Sequence, residues 1–278
     1  MKDYLVLDFN IQPVEPGREI LLALLDNLGY DSFEEHARGL KAYILTEDFK
    51  QEELESLFLF SDSQYEINYT SERLETINWN EEWERNYEAV ELDDLLLIRA
   101  PFHSVTGDFK HEIVIEPKMS FGTGHHHTTR LMSKSMFSLD FAGKKVLDMG
   151  TGTGILAILA QQMGAANIDA IDNFEWAVEN TAENADRNAA DRVNAEWGDA
   201  TLLPGRKYDI ILANINRNVL LEDMHVYVQT LNSAGSILFS GFFAHDFDLI
   251  NAEAEKRGLV FESRIEEERW QCVHYRKP

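Results

Sequence analysis

Apolar positions change period several times in the first seventy residues, and each change marks an element. Leu5, Leu7, Phe9 and Ile11 alternate with more polar neighbours, which predicts a strand from Tyr4 to Ile11. Ile20, Leu21, Leu24, Leu25 and Leu28 then recur at helical spacing and stop at Gly29, a helix-ending residue. Ser32 to His36 and Leu40 to Leu45 fit a hairpin across Ala37 to Gly39. A second helix over Gln51 to Phe60 turns Leu54, Leu57 and Phe58 inward, and Tyr65 to Thr70 supplies a last strand. The order β-α-β-β-α-β is that of a split βαβ, or ferredoxin-like, domain. It holds no cluster of catalytic residue types, which points to recognition rather than chemistry.

Residues 79 to 90 predict a short helix with Trp79, Trp83 and Tyr87 in one stripe. Strands are expected at Leu95 to Arg99 and Glu112 to Ile115. From Lys144 onward strands alternate with helices. The strands fall at Lys145 to Met149, Ile168 to Asp172, Val193 to Glu196, Tyr208 to Ala213 and Ser236 to Ser240. The helices fall at Ile155 to Met163, Glu175 to Asn188, Val219 to Leu231 and Phe247 to Arg257. Val260 to Arg276 reads as two strands joined through Glu266 to Glu268. Such alternation implies an α/β fold with a mainly parallel sheet and helices on both faces. The chain is thus divided into a recognition domain at 1–72, a structured linker at 73–117 and an α/β domain at 118–278.

Composition narrows the function. The 278 residues carry 49 acidic and 25 basic side chains, a net charge of −24, which excludes holding nucleic acid as the main task. The single cysteine, Cys272, fits a reducing compartment, and no apolar run is long enough to span a membrane, so a soluble cytoplasmic protein is expected. The charge is uneven. Residues 1–117 hold 27 acids against 9 bases, net −18, while the remainder carries only −6. Such a surface keeps a protein soluble and also attracts a basic partner.

The candidate chemistry sits where strands end. Gly150, Gly152 and Gly154 lie in the turn Asp148-Met149-Gly150-Thr151-Gly152-Thr153-Gly154 between a strand and a helix, where a ligand can approach the backbone closely. Asp172 ends the next strand, where a carboxylate can accept from ribose hydroxyls, and Asp199 follows the third strand near the expected place of an adenine. Together they point to a nucleoside-bearing cofactor. The triplet His125-His126-His127 resembles a metal tract, but adjacent side chains do not converge on one ion and no second ligand cluster exists, so no metal is expected. The fourth strand ends in Ala213-Asn214-Ile215-Asn216.

These segments resemble the bacterial ribosomal protein L11 methyltransferases. The resemblance rests on Trp79 to Trp83, Phe121 to Thr129, Gly150 to Gly154 and Ala213 to Ile215, with Ser240 to Phe242 and Glu268 to Trp270 as later matches. It implies a class I methyltransferase domain with a Rossmann-like seven-stranded sheet and an S-adenosylmethionine cofactor. It further implies contacts to that cofactor at Thr129, Gly150, Asp172 and Asn214. The implied substrate is a basic ribosomal protein, L11, methylated on lysine side chains with the N-terminal amine as a further target; the acidic N-terminal domain is expected to dock it, and the protein is expected to be a monomer. Asn214 and the Ile215 carbonyl would aim the amine, and Phe121 would shelter the methyl group. The sequence departs from the family at Thr151, Thr153, His125, His127 and Asn216. The competing readings are a methyltransferase of the release-factor or small-molecule type, a nicotinamide dehydrogenase, and a non-enzymatic acidic docking module. Ile155 stands where the dinucleotide pattern has its third glycine, which opposes the dehydrogenase.

Overall fold

The computed structural model describes residues 3–74, 87–104, 107–118 and 120–278. They fall into two compact units, divided after residue 86.

The first unit opens with β1 (Tyr4–Gln12), α1 (Val14–Asn27), β2 (Ser32–His36) and β3 (Gly39–Leu45). A short α2 (Gln51–Glu55), a 3-10 turn at Phe58–Phe60 and β4 (Glu66–Leu74) follow. The sheet order is β2-β3-β1-β4, with every pairing antiparallel, as a split βαβ unit requires. Leu5, Leu7, Phe9 and Ile11 bury one face of β1 against Leu21 and Leu25 of α1. The second helix is shorter than its pattern predicts. Leu57 takes an extended conformation (φ −59°, ψ 135°) and ends the helix early. The break resets the phase, so Leu59 rather than Phe58 reaches the core, and Phe58 stays exposed.

The second unit begins with a small sheet of β5 (Val90–Leu92), β6 (Leu96–Arg99) and β7 (His111–Val114). The helix expected over 79–90 lies outside the described residues except at its end, where Val90 starts a strand. Val90, Leu92, Leu96, Ile98 and Ile113 share one core with the α/β sheet, so these strands belong physically to the second unit.

The main sheet contains β8 (Lys145–Met149), β9 (Asn167–Asp172), β10 (Val193–Trp197), β11 (Tyr208–Asn214) and β12 (Leu231–Ser240). The hairpin of β13 (Val260–Glu267) and β14 (Trp270–Arg276) completes it. Its order is β10-β9-β8-β11-β12-β14-β13, parallel from β10 to β12, with β14 antiparallel to both neighbours. Covering helices are α3 (His127–Met136), α4 (Ile155–Gln162), α5 (Glu175–Arg187), α6 (Arg217–Thr230) and α7 (Phe247–Lys256). The chain leaves β8 toward β9 and β10, then crosses to β11 on the other side. That reversal opens a crevice at the carboxyl ends of β8 and β11, where ligands bind in such sheets. Among the described residues no helix is long and apolar enough to cross a membrane.

The β8–α4 turn is supported from below by Asp148. Its carboxylate is buried and accepts the Thr151 hydroxyl at 2.7 Å and the Ala157 N–H at 3.2 Å. Burial, reinforced by the Asp172 charge, pushes its pKa up to about 7 against the pull of those two hydrogen bonds. An unfolded aspartate titrates near ~3.9, so between there and neutrality the folded unit binds more protons, and stability falls as pH rises. Asp148→Asn removes this ionisation. Its melting temperature relative to the parent should therefore rise between pH 4 and 7.5, as followed by calorimetry; a constant difference across that range would contradict the assignment.

Candidate functional site

The site is built from strand ends. Glycine is required in the turn after β8: Gly150 and Gly152 have φ of 72° and 60°. A Cβ on Gly150 would lie 2.2 Å from Ile215 Cγ2, and one on Gly152 would lie 2.3 Å from the Phe121 carbonyl oxygen. Two chain segments therefore touch the turn directly. Thr153 N–H donates to the Phe121 carbonyl at 3.0 Å, and its hydroxyl donates to the Gly122 carbonyl at 2.6 Å. From behind, the Thr181 hydroxyl donates to Gly152 O and Asn184 Nδ2 donates to Thr153 O, both at 3.0 Å. The hydroxyls of Thr151 and Thr153, two of the departures from the family pattern, thus hold the turn to Asp148 and to the Phe121 loop.

A cavity of about 410 Å³ opens above this turn. Phe121, Gly150, Gly152, Asp172, Asp199, Asn214 and Ile215, all expected at the site, line it together. Thr129 and Gly154 are not in its lining. Thr129 is fully buried in the first turn of α3, and Gly154 precedes α4 with φ 81°. Asp172 accepts the Gly152 N–H at 2.9 Å and the Phe174 N–H at 3.1 Å. Asp199 accepts both the N–H and the hydroxyl of Thr201, which hold its carboxyl below the usual range. A carboxylate has about four acceptor positions, so each keeps capacity for a ligand.

Asn214 ends β11 with its Oδ1 buried and without a hydrogen-bond partner among the described residues. A buried acceptor left unpaired is costly, and a ligand donor reaching this oxygen would satisfy it. Phe121, Asn214, Ile215 and Asn216 line both the main cavity and an adjoining one of about 240 Å³, completed by His126, Thr128, Gly241 and Trp270. Asn216 caps α6 by accepting the Val219 N–H at 3.2 Å.

The three histidines go to three different tasks. His125 Nε2 lies 2.9 Å from the Glu88 carbonyl, His126 accepts the Thr128 N–H as the cap of α3, and His127 Nδ1 meets Glu267 at 3.1 Å. No group able to hold a metal ion occurs among the described residues.

Sequence reasoning missed several lining residues. Phe174 and Trp176 stack at 5.2 Å between ring centroids and stand 54% and 47% exposed at the cavity. Their places two and four residues after Asp172 were a usable signal. Asn216, Val219 and Asp223 share one helical face at spacings of three and four, and all three line the cavity. Trp270 arrives from the terminal hairpin; the segment Glu268 to Trp270 resembles the family, but its place at the cavity follows only from the fold.

The arrangement combines a glycine cradle, a carboxylate at the end of β9, an aromatic wall and an orphan amide oxygen. It suits a nucleoside-bearing cofactor on one side of Asn214 and a nitrogen nucleophile on the other. A family model described as "Ribosomal protein L11 methyltransferase (PrmA)" matches residues 24–278. A protein named ribosomal protein L11 methyltransferase from Porphyromonas gingivalis is 40% identical over 265 residues, covering 94% of this chain and 91% of its own. A Bacteroides fragilis protein of the same name is 40% identical over 276 residues, covering 98% and 99%. The crystal structure of a ribosomal protein L11 methylase from Lactobacillus delbrueckii subsp. bulgaricus superposes with a TM-score of 0.65 at 26% identity, over 69% of this chain and all of that one. With matches that run nearly end to end through the glycine turn, the Phe121 loop and the Asn214 strand end, the chain belongs to the ribosomal protein L11 methyltransferase family.

Proposed function

We propose that the chain transfers methyl groups from S-adenosylmethionine to amines of ribosomal protein L11, with lysine side chains and the N-terminal amine as acceptors. The observation that carries this reading is that Asn214, whose side-chain oxygen has no hydrogen-bond partner among the described residues, lines both cavities. When bound, S-adenosylmethionine supplies an electrophilic methyl group on a positively charged sulfur. Gly150 and Gly152 leave room for close approach to the backbone, Asp172 accepts from ribose hydroxyls, and Phe174 and Trp176 offer a flat apolar wall to the base.

A lysine amine has a reference pKa near ~10.4 and is mostly protonated in water. The smaller cavity strips water from it, which favours the neutral form. Asn214 Oδ1 then accepts an amine N–H and, with the Ile215 carbonyl, points the lone pair toward the main cavity. Phe121, lining both spaces, keeps water from the path.

The first unit serves as the docking domain for the basic substrate. The face of its sheet turned away from α1 carries Asp8, Glu34, Glu66 and Glu72 against Lys41 and His36, by the register of the four strands. An acidic face of this kind steers a basic protein and aligns it by charge.

Two outcomes follow. Asn214→Ala should reduce methyl transfer to purified L11 by at least about 100-fold, as expected for a lost orienting group. It should weaken S-adenosylhomocysteine binding, measured by calorimetry, by less than tenfold; unchanged turnover would remove Asn214 from this role. Raising NaCl from 50 to 500 mM should lower kcat/KM for L11 while leaving S-adenosylhomocysteine affinity within twofold. A salt-independent kcat/KM would exclude electrostatic docking.

A further inference from the structure

The Glu-rich connection before Trp270 carries a contact that the methyl-transfer reading leaves unused. Glu267, the last residue of β13, receives three basic groups spread along one side of α3, His127 and Arg130 from its first turn and Lys134 from its last. Arg130 Nη2 is hydrogen-bonded to its Oε1, His127 Nδ1 lies 3.1 Å from the same oxygen, and Lys134 Nζ lies 3.9 Å from Oε2. Glu266 and Glu268 on either side are exposed, whereas Glu267 and Arg130 are three-quarters withdrawn from solvent. Burial alone would raise the Glu267 pKa, yet the hydrogen bonds from Arg130 and His127 prevail and hold it below the usual range. The carboxylate is therefore charged, paired and partly desolvated, conditions under which an ion pair fixes geometry rather than merely decorating a surface.

Both ends of this contact adjoin walls of the smaller cavity. On the helix side, His126 immediately precedes His127, and its ring packs 5.1 Å from Phe121. On the hairpin side, Glu268 takes φ 58°, Arg269 O accepts the Ala244 N–H at 2.8 Å, and Trp270 follows. Trp270 packs 4.7 Å from His126 and 4.3 Å from Phe243, and with His126 it lines the cavity that Asn214 also lines. Two of its walls thus come from elements far apart in the chain, and the Glu267 cluster ties those elements together. A slip of the hairpin against α3 changes the width of the cavity directly.

We infer that Glu267 is a positioning residue for the acceptor amine, setting the separation of Trp270 and His126 through its contact with Arg130 and His127. This rests on the reading of the smaller cavity as the acceptor site. Glu267 touches neither cofactor nor amine; it acts through the two aromatic walls.

The test uses the full chain with Glu267→Gln, Arg130→Gln and the double variant. S-Adenosylhomocysteine affinity should stay within twofold of the parent in all three, since the main cavity does not include this cluster. kcat/KM for methylation of purified L11 should fall about tenfold in each single variant, and no further in the double, because one contact is lost in every case. The Trp270 fluorescence, obtained by subtracting the spectrum of Trp270→Phe, should become more accessible to acrylamide in Glu267→Gln. A folded Glu267→Gln protein with kcat/KM within twofold of the parent would overturn the inference, as would a parallel loss of S-adenosylhomocysteine affinity. If the parent fails to methylate L11, the functional reading fails instead. The acrylamide measurement then decides the positioning role: unchanged Trp270 accessibility would refute it.

Discussion

The site depends on the direct contact between two stretches of backbone, the glycine turn after β8 and the loop carrying Phe121. Thr153 bonds to both Phe121 and Gly122, and the chain passes so close that a Cβ on Gly152 would fall 2.3 Å from a carbonyl oxygen. The turn is in turn held by buried Asp148 beneath and by Thr181 and Asn184 of α5 behind. Asn184 Oδ1 also accepts the Glu116 N–H, and Asn188 exchanges two hydrogen bonds with Val114. One helix thereby fixes the turn and the approach to the Phe121 loop together. Phe121 lines both cavities because this contact holds it there.

Much of that architecture was legible from the chain alone. The alternation of β1 and the strand-helix succession after Lys144 gave the elements and their order, because each buries one face and so keeps a strict period. Gly150, Gly152, Asp172 and Asn214 were readable because strand ends at a topological switch point are where such residues have a use. Other features depend on contacts distant in sequence. The early end of α2 follows from which of Leu57, Phe58 and Leu59 best fills the first unit's core. Burial of Asp148 and Thr129 depends on what packs over them. The histidine triplet illustrates the limit best, since its three side chains are separated by partners 37, 2 and 140 residues away in the chain.

Charge distribution adds a second level of organisation. The sequence places −18 of its −24 in residues 1–117, and the strand register of the first unit gathers several of those acids on one sheet face. The main cavity also contains acids, Asp172, Asp199 and Asp223, with no Lys or Arg among the described residues of its lining. A cationic cofactor and a basic protein are both favoured by such fields, and each loses less when its charge is already complemented. On the proposed reading, recognition by the first unit and chemistry in the second would use the same sign of charge at different scales.

The decisive measurement is to incubate the protein with isotopically labelled S-adenosylmethionine and a mixture of purified ribosomal proteins, then to locate the label by peptide mass mapping. Label is expected on lysine side chains of L11, together with its N-terminal amine. Label confined to another ribosomal protein, or on oxygen or carbon rather than on amines, would contradict the proposed function.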